Sequence, residues 1–249
     1  MTYLAVSALS HIGAVRDHHE DSLVVGPWTL CATVTESPQT LVFPLGTPII
    51  VAVADGLGGH AGGEVASTLV ARRLAQLGPL LDGEDTLREA LSACNRDVFA
   101  AAARDPALTA MGTTVAGVVV TADRVLAFNV GDSRVYAAGP EGVRQLSTDD
   151  RLGDDDLPTS IVTQALGGSD ELAAIDPHLI SSPLAADTSY LICTDGLTDP
   201  LPAGLLEEVL GQHEDGRAVF ELWKAAIEAG GPDNITIAFV RASVDSAED

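Results

Sequence analysis

Acidic residues recur in this sequence where apolar runs begin or end. They are Glu20, Asp21, Asp55, Asp132, Asp195 and Asp233. A carboxylate at the end of a buried strand is costly unless a positive charge meets it, and the chain has only 13 Lys and Arg against 36 Asp and Glu. Hard oxygen ligands suit Mg²⁺ or Mn²⁺ rather than zinc. The repetition therefore favours a divalent-metal site, although an ordinary Asp-Gly turn explains any single one of these residues.

The glycine-rich stretch VAVADGLGGHAGGEVAS, residues 51–67, permits a second interpretation. Its Gly56-x-Gly58-x-x-Ala61 fits the loose form of the dinucleotide-binding fingerprint. The apolar run over residues 48–54 predicts a strand before it, and residues 64–77 predict a helix after it. An oxidoreductase binding NAD(H) would need a parallel sheet around this turn. Asp55 weighs against that alternative, because a pyrophosphate does not favour a neighbouring carboxylate.

The elements that must position these residues are mostly antiparallel strands. The runs TTVAGVVVTA, RVLAFNV, RVYAAG and VRQLS follow one another through short turns at 122–124, 131–133 and 139–142, which predicts a meander. TSYLIC and NITIAFV add two later strands. A parallel doubly wound sheet would need a helix between each pair of strands. We therefore expect an α+β fold of packed antiparallel sheets covered by helices, in one domain over residues 1–249.

Apolar residues at helical spacing predict three helices before and after the meander. The stripes are Val65, Leu69, Val70, Leu74 and Leu77; Leu87, Ala90, Leu91, Cys94 and Val98; and Val219, Leu222, Trp223 and Ala226. By contrast, residues 147–160 combine acidic residues with Gly and Pro, which predicts a mobile surface loop.

Composition limits the partners. A formal charge of −23 and a pI near 4.3 repel nucleic-acid phosphate and anionic membranes, so we expect neither as a partner. Three widely spaced cysteines predict neither a disulfide framework nor a zinc site. No apolar run is long enough to span a bilayer, and the N-terminus lacks signal-peptide features. We expect a soluble cytoplasmic protein of unknown oligomeric state.

Seven motifs in order resemble the PP2C-type metal-dependent protein serine/threonine phosphatases, particularly the compact bacterial members. The motifs are RDHHED, ADGLGGHAGGEVAS, MGTTV, NVGDSRVY, TQALGG, CTDGLTD and GPDNIT, and they extend from Arg16 to Thr236. The resemblance implies an α-β-β-α sandwich, in which two antiparallel sheets are flanked by helices. It agrees with the antiparallel strands predicted from the residues alone.

The resemblance also implies roles for the site residues. It implies that Asp55 bridges two Mn²⁺ or Mg²⁺ ions, that Glu20 and the Gly56 carbonyl serve one ion, and that Asp195 and Asp233 hold the other. Asp132 with Asp195 resembles a weaker third metal site. Asp21 and Asn234 correspond to residues that support the ligands, and Arg16 to the residue that binds the substrate phosphate.

The activity implied is hydrolysis of phosphoserine or phosphothreonine by in-line attack of a metal-bridging hydroxide. The partners implied are a phosphorylated protein substrate and a Ser/Thr kinase. A non-catalytic regulatory module that binds phosphoproteins is the alternative, for which a missing metal carboxylate would be the sign; none is missing.

Three departures from the family pattern affect the site. Leu57 stands where eukaryotic members carry a His proposed as general acid, and His60 is the nearest candidate in sequence. His19 replaces the usual Asn, and we expect a surface or supporting role for it. The flap beside the site is shortened to a loop over about 147–162, which predicts weaker third-metal binding. The tail, 243–249, is expected to be flexible.

Overall fold

The computed structural model describes residues 2–57, 61–153, 161–185, 187–202 and 204–244. In chain order the strands are β1 (Thr2–His11), β2 (Ser22–Val25), β3 (Trp28–Cys31), β4 (Gln39–Pro44), β5 (Ile49–Ala54), β6 (Gly56–Leu57), β7 (Gly112–Thr113), β8 (Val115–Val120), β9 (Arg124–Val130), β10 (Arg134–Gly139), β11 (Gly142–Gln145), β12 (Leu166–Gly167), β13 (His178–Pro183), β14 (Ser189–Cys193) and β15 (Ile235–Val244). The helices are α1 (Ala61–Leu77), α2 (Glu84–Ala102), α3 (Asp195–Thr198), α4 (Leu205–Gln212) and α5 (Asp215–Glu228).

Most strands form two six-stranded antiparallel sheets that pack face to face. One sheet has the order β11-β10-β14-β15-β1-β4, and the other has the order β13-β9-β8-β5-β2-β3. Buried residues of both sheets share one apolar cluster between them. A short three-stranded sheet, β12-β7-β6, lies apart from these two. The predicted α-β-β-α sandwich is confirmed.

Alternation along the strands divides the core into layers. In β5, Val51 and Val53 face the cluster between the sheets, whereas Ile50 and Ala52 face the helices α1 and α2. Successive side chains of a strand point to opposite faces, so a strand covered on both faces is apolar throughout. All six residues of β5 are accordingly buried.

The helices cover the outer faces, as the three apolar stripes predict. Val70 and Leu74 of α1 and Leu87 and Leu91 of α2 pack on the sheet that contains β5. Leu222 of α5 is among the residues that pack on the opposite sheet. Among the residues that the structure describes, no helix is long and apolar enough to cross a membrane.

The predicted meander is wrong at its centre. β8 pairs with β9 and β10 pairs with β11, but β9 and β10 belong to different sheets. The chain crosses between the sheets at 131–133, where Gly131 has a φ of +100° and a Cβ would lie 2.6 Å from the Cβ of Thr114. Only glycine fits this turn readily. The crossing places Asp132 at the junction of the two sheets.

The dinucleotide alternative is excluded by strand direction. β5, which precedes the glycine-rich turn, pairs antiparallel with both β2 and β8. The parallel βαβ unit that the fingerprint needs is therefore missing around this turn.

Three segments differ from their predicted boundaries. β1 was not predicted, although it pairs with β15 along ten residues. β15 extends to Val244, so residues 243–244 of the predicted flexible tail are paired with β1. Of the predicted loop at 147–160, residues 147–153 are held by backbone bonds such as Leu152 N–H to the Ile161 carbonyl at 2.9 Å. The remaining residues, 154–160 and 245–249, lie outside the described part of the chain.

Candidate metal and phosphate site

A cavity of about 200 Å³ collects the ends of strands from both large sheets. It is lined by Arg16, Glu20, Asp55, Gly56, Leu57, Asp132, Val162, Asp195, Asp233 and Asn234. The structure therefore brings together every predicted site residue except Asp21, which lies behind the cavity wall with no exposed surface. The cavity lies where the strand-end pattern of acidic residues predicts it, because β5, β9 and β14 end here and β15 begins here.

Asp55 is fixed through its main chain. Its carbonyl accepts from the Thr114 N–H at 2.9 Å and from the Thr113 hydroxyl at 2.8 Å. Its own N–H donates to the Thr114 hydroxyl at 3.3 Å. Thr113 and Thr114 were not predicted to have a role, although they form the centre of the MGTTV motif. Their two hydroxyls explain why that motif accompanies the Asp55 turn.

Asn234 ties the loop between β1 and β2 to the start of β15. Its side-chain oxygen accepts from the Glu20 N–H at 2.8 Å. Its side-chain NH₂ donates to the carbonyls of Ile12 at 2.9 Å and His18 at 3.1 Å. These bonds hold Glu20 against the cavity, and Asn234 acts on the site through them.

Two glycines allow Glu20 to approach helix α1. A Cβ on Gly63 would lie 2.6 Å from Glu20 Oε1 and 2.9 Å from the Gly56 carbonyl carbon. Ser67, one turn later in α1, donates its hydroxyl to the Glu20 carbonyl at 2.5 Å. The first turn of α1 thus forms one wall of the site, and a larger residue at position 63 would push this wall away.

Among the residues that the structure describes, three buried carboxylate oxygens have no hydrogen-bond partner: Glu20 Oε1, Asp21 Oδ1 and Asp195 Oδ1. The His18 Nε2 lies 3.6 Å from Glu20 Oε1, beyond hydrogen-bonding distance. Asp21 accepts one bond on its other oxygen, from the Thr194 hydroxyl at 3.0 Å. A buried oxygen without a partner is unusual in a native protein, and two of these three belong to residues that line the cavity.

Burial and mutual repulsion raise the pKa of these acids. Burial, followed by the neighbouring carboxylates, raises the pKa of Asp55 well above its usual value. Burial is also the main cause that raises the pKa of Asp195 to about 7 and that of Asp21 to about 8. It raises the pKa of Asp132 and Glu20 as well. Without a cation, Asp21 and in part Asp195 hold protons that an exposed carboxylate would release at neutral pH.

The donor set fits hard divalent cations. Mg²⁺ and Mn²⁺ bind carboxylate oxygens, backbone carbonyls and water molecules. The cavity offers carboxylates, the Gly56 carbonyl and space for water. Within the described residues, no group of three His, Cys, Asp or Glu side chains already converges tightly enough to hold an ion. Bound ions would therefore have to draw the carboxylates inward, which their charge favours.

Arg16 lies at the mouth of the cavity and is already paired. Its Nη2 donates to Asp233 Oδ2 at 2.7 Å, with side chains 43% and 33% exposed. The sequence predicted that Asp233 binds metal and Arg16 binds phosphate, but not that they bind each other. A phosphate would have to share or displace this contact.

Two predicted histidines differ in placement. His19 is 6% exposed, and its Nε2 is 2.9 Å from the Ser10 hydroxyl while its Nδ1 accepts from the Asp21 N–H at 3.3 Å. Burial lowers the pKa of His19 to about 4. The surface alternative for His19 is therefore wrong, and its supporting position behind Asp21 is the one observed. His60 lies outside the described residues.

Asp132 has a second acidic cluster behind it. Asp149 accepts two bonds from Arg134, from Nε at 2.9 Å and from Nη2 at 2.5 Å. Asp150 contacts His178 Nε2 at 2.9 Å and accepts from Gln164 at 2.9 Å. This network, which the sequence did not predict, holds the segment after β11 against the cavity.

Comparison with known proteins relates the chain to one family of phosphatases. The model of the family described as protein phosphatase 2C matches residues 42–232. The serine/threonine protein phosphatase PstP of Mycobacterium tuberculosis is 32% identical over 94% of this chain, which spans only 44% of PstP. The serine/threonine phosphatase stp of Listeria monocytogenes is 31% identical over 92% of both chains.

A solved structure gives the same result in three dimensions. The catalytic domain of PstP in complex with two manganese ions superposes with a TM-score of 0.78 at 29% identity, covering 98% of this chain and 100% of that one. The family model covers well over half of the sequence, and the solved structure shares the fold over nearly the whole chain. The chain belongs to the protein phosphatase 2C family.

Proposed function

We propose that this protein is a Mn²⁺- or Mg²⁺-dependent phosphatase that hydrolyses phosphoserine and phosphothreonine in proteins. The observation that carries the proposal is the cavity of strand-end carboxylates with unpartnered buried oxygens on Glu20 and Asp195. Burying such oxygens lowers the stability of the fold unless a cation binds them. The relatives named serine/threonine phosphatases support the same activity.

The residues proposed to hold the ions are those that the family resemblance implies, and their positions in the cavity support the proposal. Asp55 lines the cavity together with Glu20, Gly56, Asp195 and Asp233, and we propose that it bridges two ions, one served by Glu20 and the Gly56 carbonyl and the other held by Asp195 and Asp233. Asp132 belongs to a third, weaker position beside Asp195. Ions bound here would lower the pKa of coordinated water and neutralise phosphate charge. The relative with two manganese ions supports a pair, without deciding between Mn²⁺ and Mg²⁺ in this chain.

Arg16 is proposed to orient the substrate phosphate. Its guanidinium offers a fork of donors that matches two phosphate oxygens, and it is exposed enough to be reached from solvent. Because it bonds to Asp233 at 2.7 Å, its release from Asp233 accompanies substrate binding in this proposal.

Leu57 cannot donate a proton to the departing serine or threonine oxygen. Its side chain lines the cavity and carries no proton to transfer. Solvent is the proton source that we propose for the departing serine or threonine oxygen. The histidine alternative, His60, rests on sequence proximity alone.

The proposed substrates are phosphorylated proteins, with a Ser/Thr kinase as one candidate partner. The strongly acidic chain disfavours nucleic acid and anionic membranes as partners. We further propose one catalytic domain over 1–249, supported by the shared core between the sheets. The non-catalytic alternative is not favoured, because every carboxylate of the predicted site is present.

The test replaces three carboxylates singly, as Asp55→Asn, Asp195→Asn and Asp233→Asn. Each variant should lose Mn²⁺-dependent hydrolysis of p-nitrophenyl phosphate and of a phosphothreonine peptide by about a thousandfold or more, because metal-assisted charge stabilisation is lost. Asp170→Asn, at an exposed loop position, is the matched control and should keep full activity. Near-UV circular dichroism checks that the variants fold. Full activity in chelator, or in Asp55→Asn, would overturn the proposal.

A further inference from the structure

Arg151 is an almost buried cation between two carboxylates. Its side chain is 10% exposed, with Nε 3.5 Å from Asp149 Oδ2 and Nη1 3.2 Å from Asp199 Oδ1. Asp149 is already paired with Arg134. Arg151 therefore gives Asp149 a second cation and gives Asp199 a partner, in a chain with few positive charges to distribute.

Backbone bonds hold Arg151 beside Asp132. The Asp150 N–H donates to the Gly131 carbonyl at 3.1 Å, and the Gly131 N–H donates to Asp150 Oδ2 at 2.9 Å. Asp150 and Gly131 are the immediate neighbours of Arg151 and Asp132 in the chain. Arg151 also forms a β-bridge with Val162, which lines the cavity together with Asp132.

The partner carboxylate Asp199 belongs to the same side of the site. Its N–H donates to the Asp195 carbonyl at 2.8 Å, one turn of helix α3 after a proposed metal ligand. The charged groups that act on Asp132 include Asp149, Asp199 and Arg151. These positions place one guanidinium among three carboxylates at the edge of the cavity.

We propose that Arg151 is a built-in cation that occupies the charge role of an additional divalent ion beside Asp132 and Asp199. The inference rests on the proposed function for the ions that the rest of the cavity holds. A guanidinium is permanently charged and bonds in two directions, so it satisfies both flanking carboxylates at once. A divalent ion that enters beside Asp132 would be repelled by the Arg151 guanidinium and would compete with it for Asp199.

Burial distinguishes Arg151 from an ordinary surface ion pair. Exposed pairs contribute little, and Asp199 is 44% exposed, but Asp149 is only 17% exposed, so loss of Arg151 leaves this partly buried carboxylate with one ion pair, to Arg134, instead of two. Loss of the Arg151 charge should therefore create a demand for another cation. A divalent metal is the cation that these oxygen ligands accept best.

The experiment compares Arg151→Gln with the wild-type protein by equilibrium dialysis against Mn²⁺ and by thermal unfolding. We expect the variant to bind the weak third Mn²⁺ beside Asp132 about tenfold tighter than the wild type does, since one repulsive charge is removed. In chelator its Tm should fall below the wild-type Tm, and Mn²⁺ should raise it more. Arg144→Gln, at an exposed position in β11, is the matched control and should change neither result.

A double variant separates charge from packing. Arg151→Gln combined with Asp199→Asn restores the local balance, so it should fold in chelator and bind Mn²⁺ with the wild-type affinity. Failure of both variants to fold, or equal Mn²⁺ stoichiometry, affinity and Tm gain in Arg151→Gln and wild type, would overturn the inference. These readouts need no activity. A wild type that binds two ions but hydrolyses no phosphoester would instead refute the proposed function alone.

Discussion

At the scale of single residues, the site is a collection of acids that destabilise one another until a cation arrives. The charges of Asp21 and Asp195 both raise the pKa of Asp55, and the charge of Asp195 also raises the pKa of Asp21. Their positions are imposed by the strands that end there, so they cannot separate to relieve the repulsion. Metal binding and folding stability are therefore coupled in this protein.

The pH dependence of stability in chelator should reflect this coupling. The folded-state pKa values of Asp195 and Asp21, about 7 and about 8, lie above the unfolded value near 3.8. The folded state thus binds more protons than the unfolded state. The resulting contribution to the free energy of unfolding is fully present below about pH 4 and is lost as the pH rises through 7 to 8. The slope approaches about 1.4 kcal/mol per pH unit for each such group.

The measurement is the Tm in chelator at pH 6.5 and 8.5. His19 opposes the change only slightly over this interval, because its folded pKa is about 4 and its unfolded form, with a pKa near 6.5, is already half deprotonated at the lower pH. We expect a lower Tm at pH 8.5, and saturating Mn²⁺ should shrink the difference, because ions favour the charged carboxylates. A Tm in chelator that rises over this interval would contradict the expectation.

Substitution of Arg16 tests its role in phosphate binding. Arg16→Lys keeps the charge but loses the fork of donors, so kcat/KM for p-nitrophenyl phosphate should fall about tenfold, mainly through a higher KM. Arg124→Lys, at an exposed strand end, is the matched control and should leave kcat/KM unchanged. An unchanged KM in Arg16→Lys would remove Arg16 from the substrate site.

The sequence predicted the members of the cavity better than their contacts. Strand-end position is visible in a sequence, because apolar runs stop where the carboxylates begin. The Arg16–Asp233 bond and the hydroxyls of Thr113 and Thr114 on Asp55 depend on tertiary contacts between residues far apart in the chain. Ser and Thr occur in many turns, so their spacing alone could not single out these two.

At the scale of elements, the close approach of β6 and α1 sets the width of the site. Glycines at 56 and 63 face each other, and the Glu20 carboxylate fits beside them. The helix can begin so near the carboxylates only because neither position carries a side chain. This contact therefore controls the distance between Glu20 and Asp55.

Gly63→Ala should disturb that distance. The new Cβ would lie 2.6 Å from Glu20 Oε1 and 2.9 Å from the Gly56 carbonyl carbon, so both must move. We expect a loss of about 1–3 kcal/mol in stability, and calorimetry should show weaker Mn²⁺ binding.

The control makes the same change in another helix. Gly211 lies in α4, where a Cβ meets nothing within 4 Å. Gly211→Ala should leave Mn²⁺ binding unchanged and stabilise the fold by up to about 1 kcal/mol, as Ala does inside helices. Equal Mn²⁺ affinity in both variants would show that the β6–α1 contact does not position Glu20.

Element prediction succeeded where one periodicity dominated. The stripe of α1 and the apolar run of β9 were clear in the sequence. β9 forms over the predicted run, and α1 begins three residues before its predicted start. β1 was missed because both its faces are covered: Leu4 and Val6 face one cluster, Leu9 faces another, and Ser7 is buried among them. The separation of β9 from β10 could not be read locally, since a turn at Gly131 serves a hairpin and a crossing equally well.

At the scale of the whole molecule, the formal charge of −23 acts against the compact state. Raising KCl from 0.05 to 0.5 M shortens the range of this repulsion. In chelator at pH 8 we expect the Tm to rise by about 2–4 °C, equivalent to about 1 kcal/mol for a chain of this size. Differential scanning calorimetry measures it, and a Tm that falls with KCl would show that attractive ion pairs outweigh the repulsion.

The position of β15 in its sheet has a consequence for biosynthesis. This strand lies between β14 and β1, and Ser10 of β1 bonds to Thr236 of β15 across 226 residues of sequence. A ribosome therefore releases β1 long before the neighbour that completes its hydrogen bonds exists. Because Asp233 lies two residues before the start of β15, the nascent chain gains its last proposed ligand only when that central strand inserts. Structure formation and catalytic competence should thus be late and nearly simultaneous events in the life of each molecule.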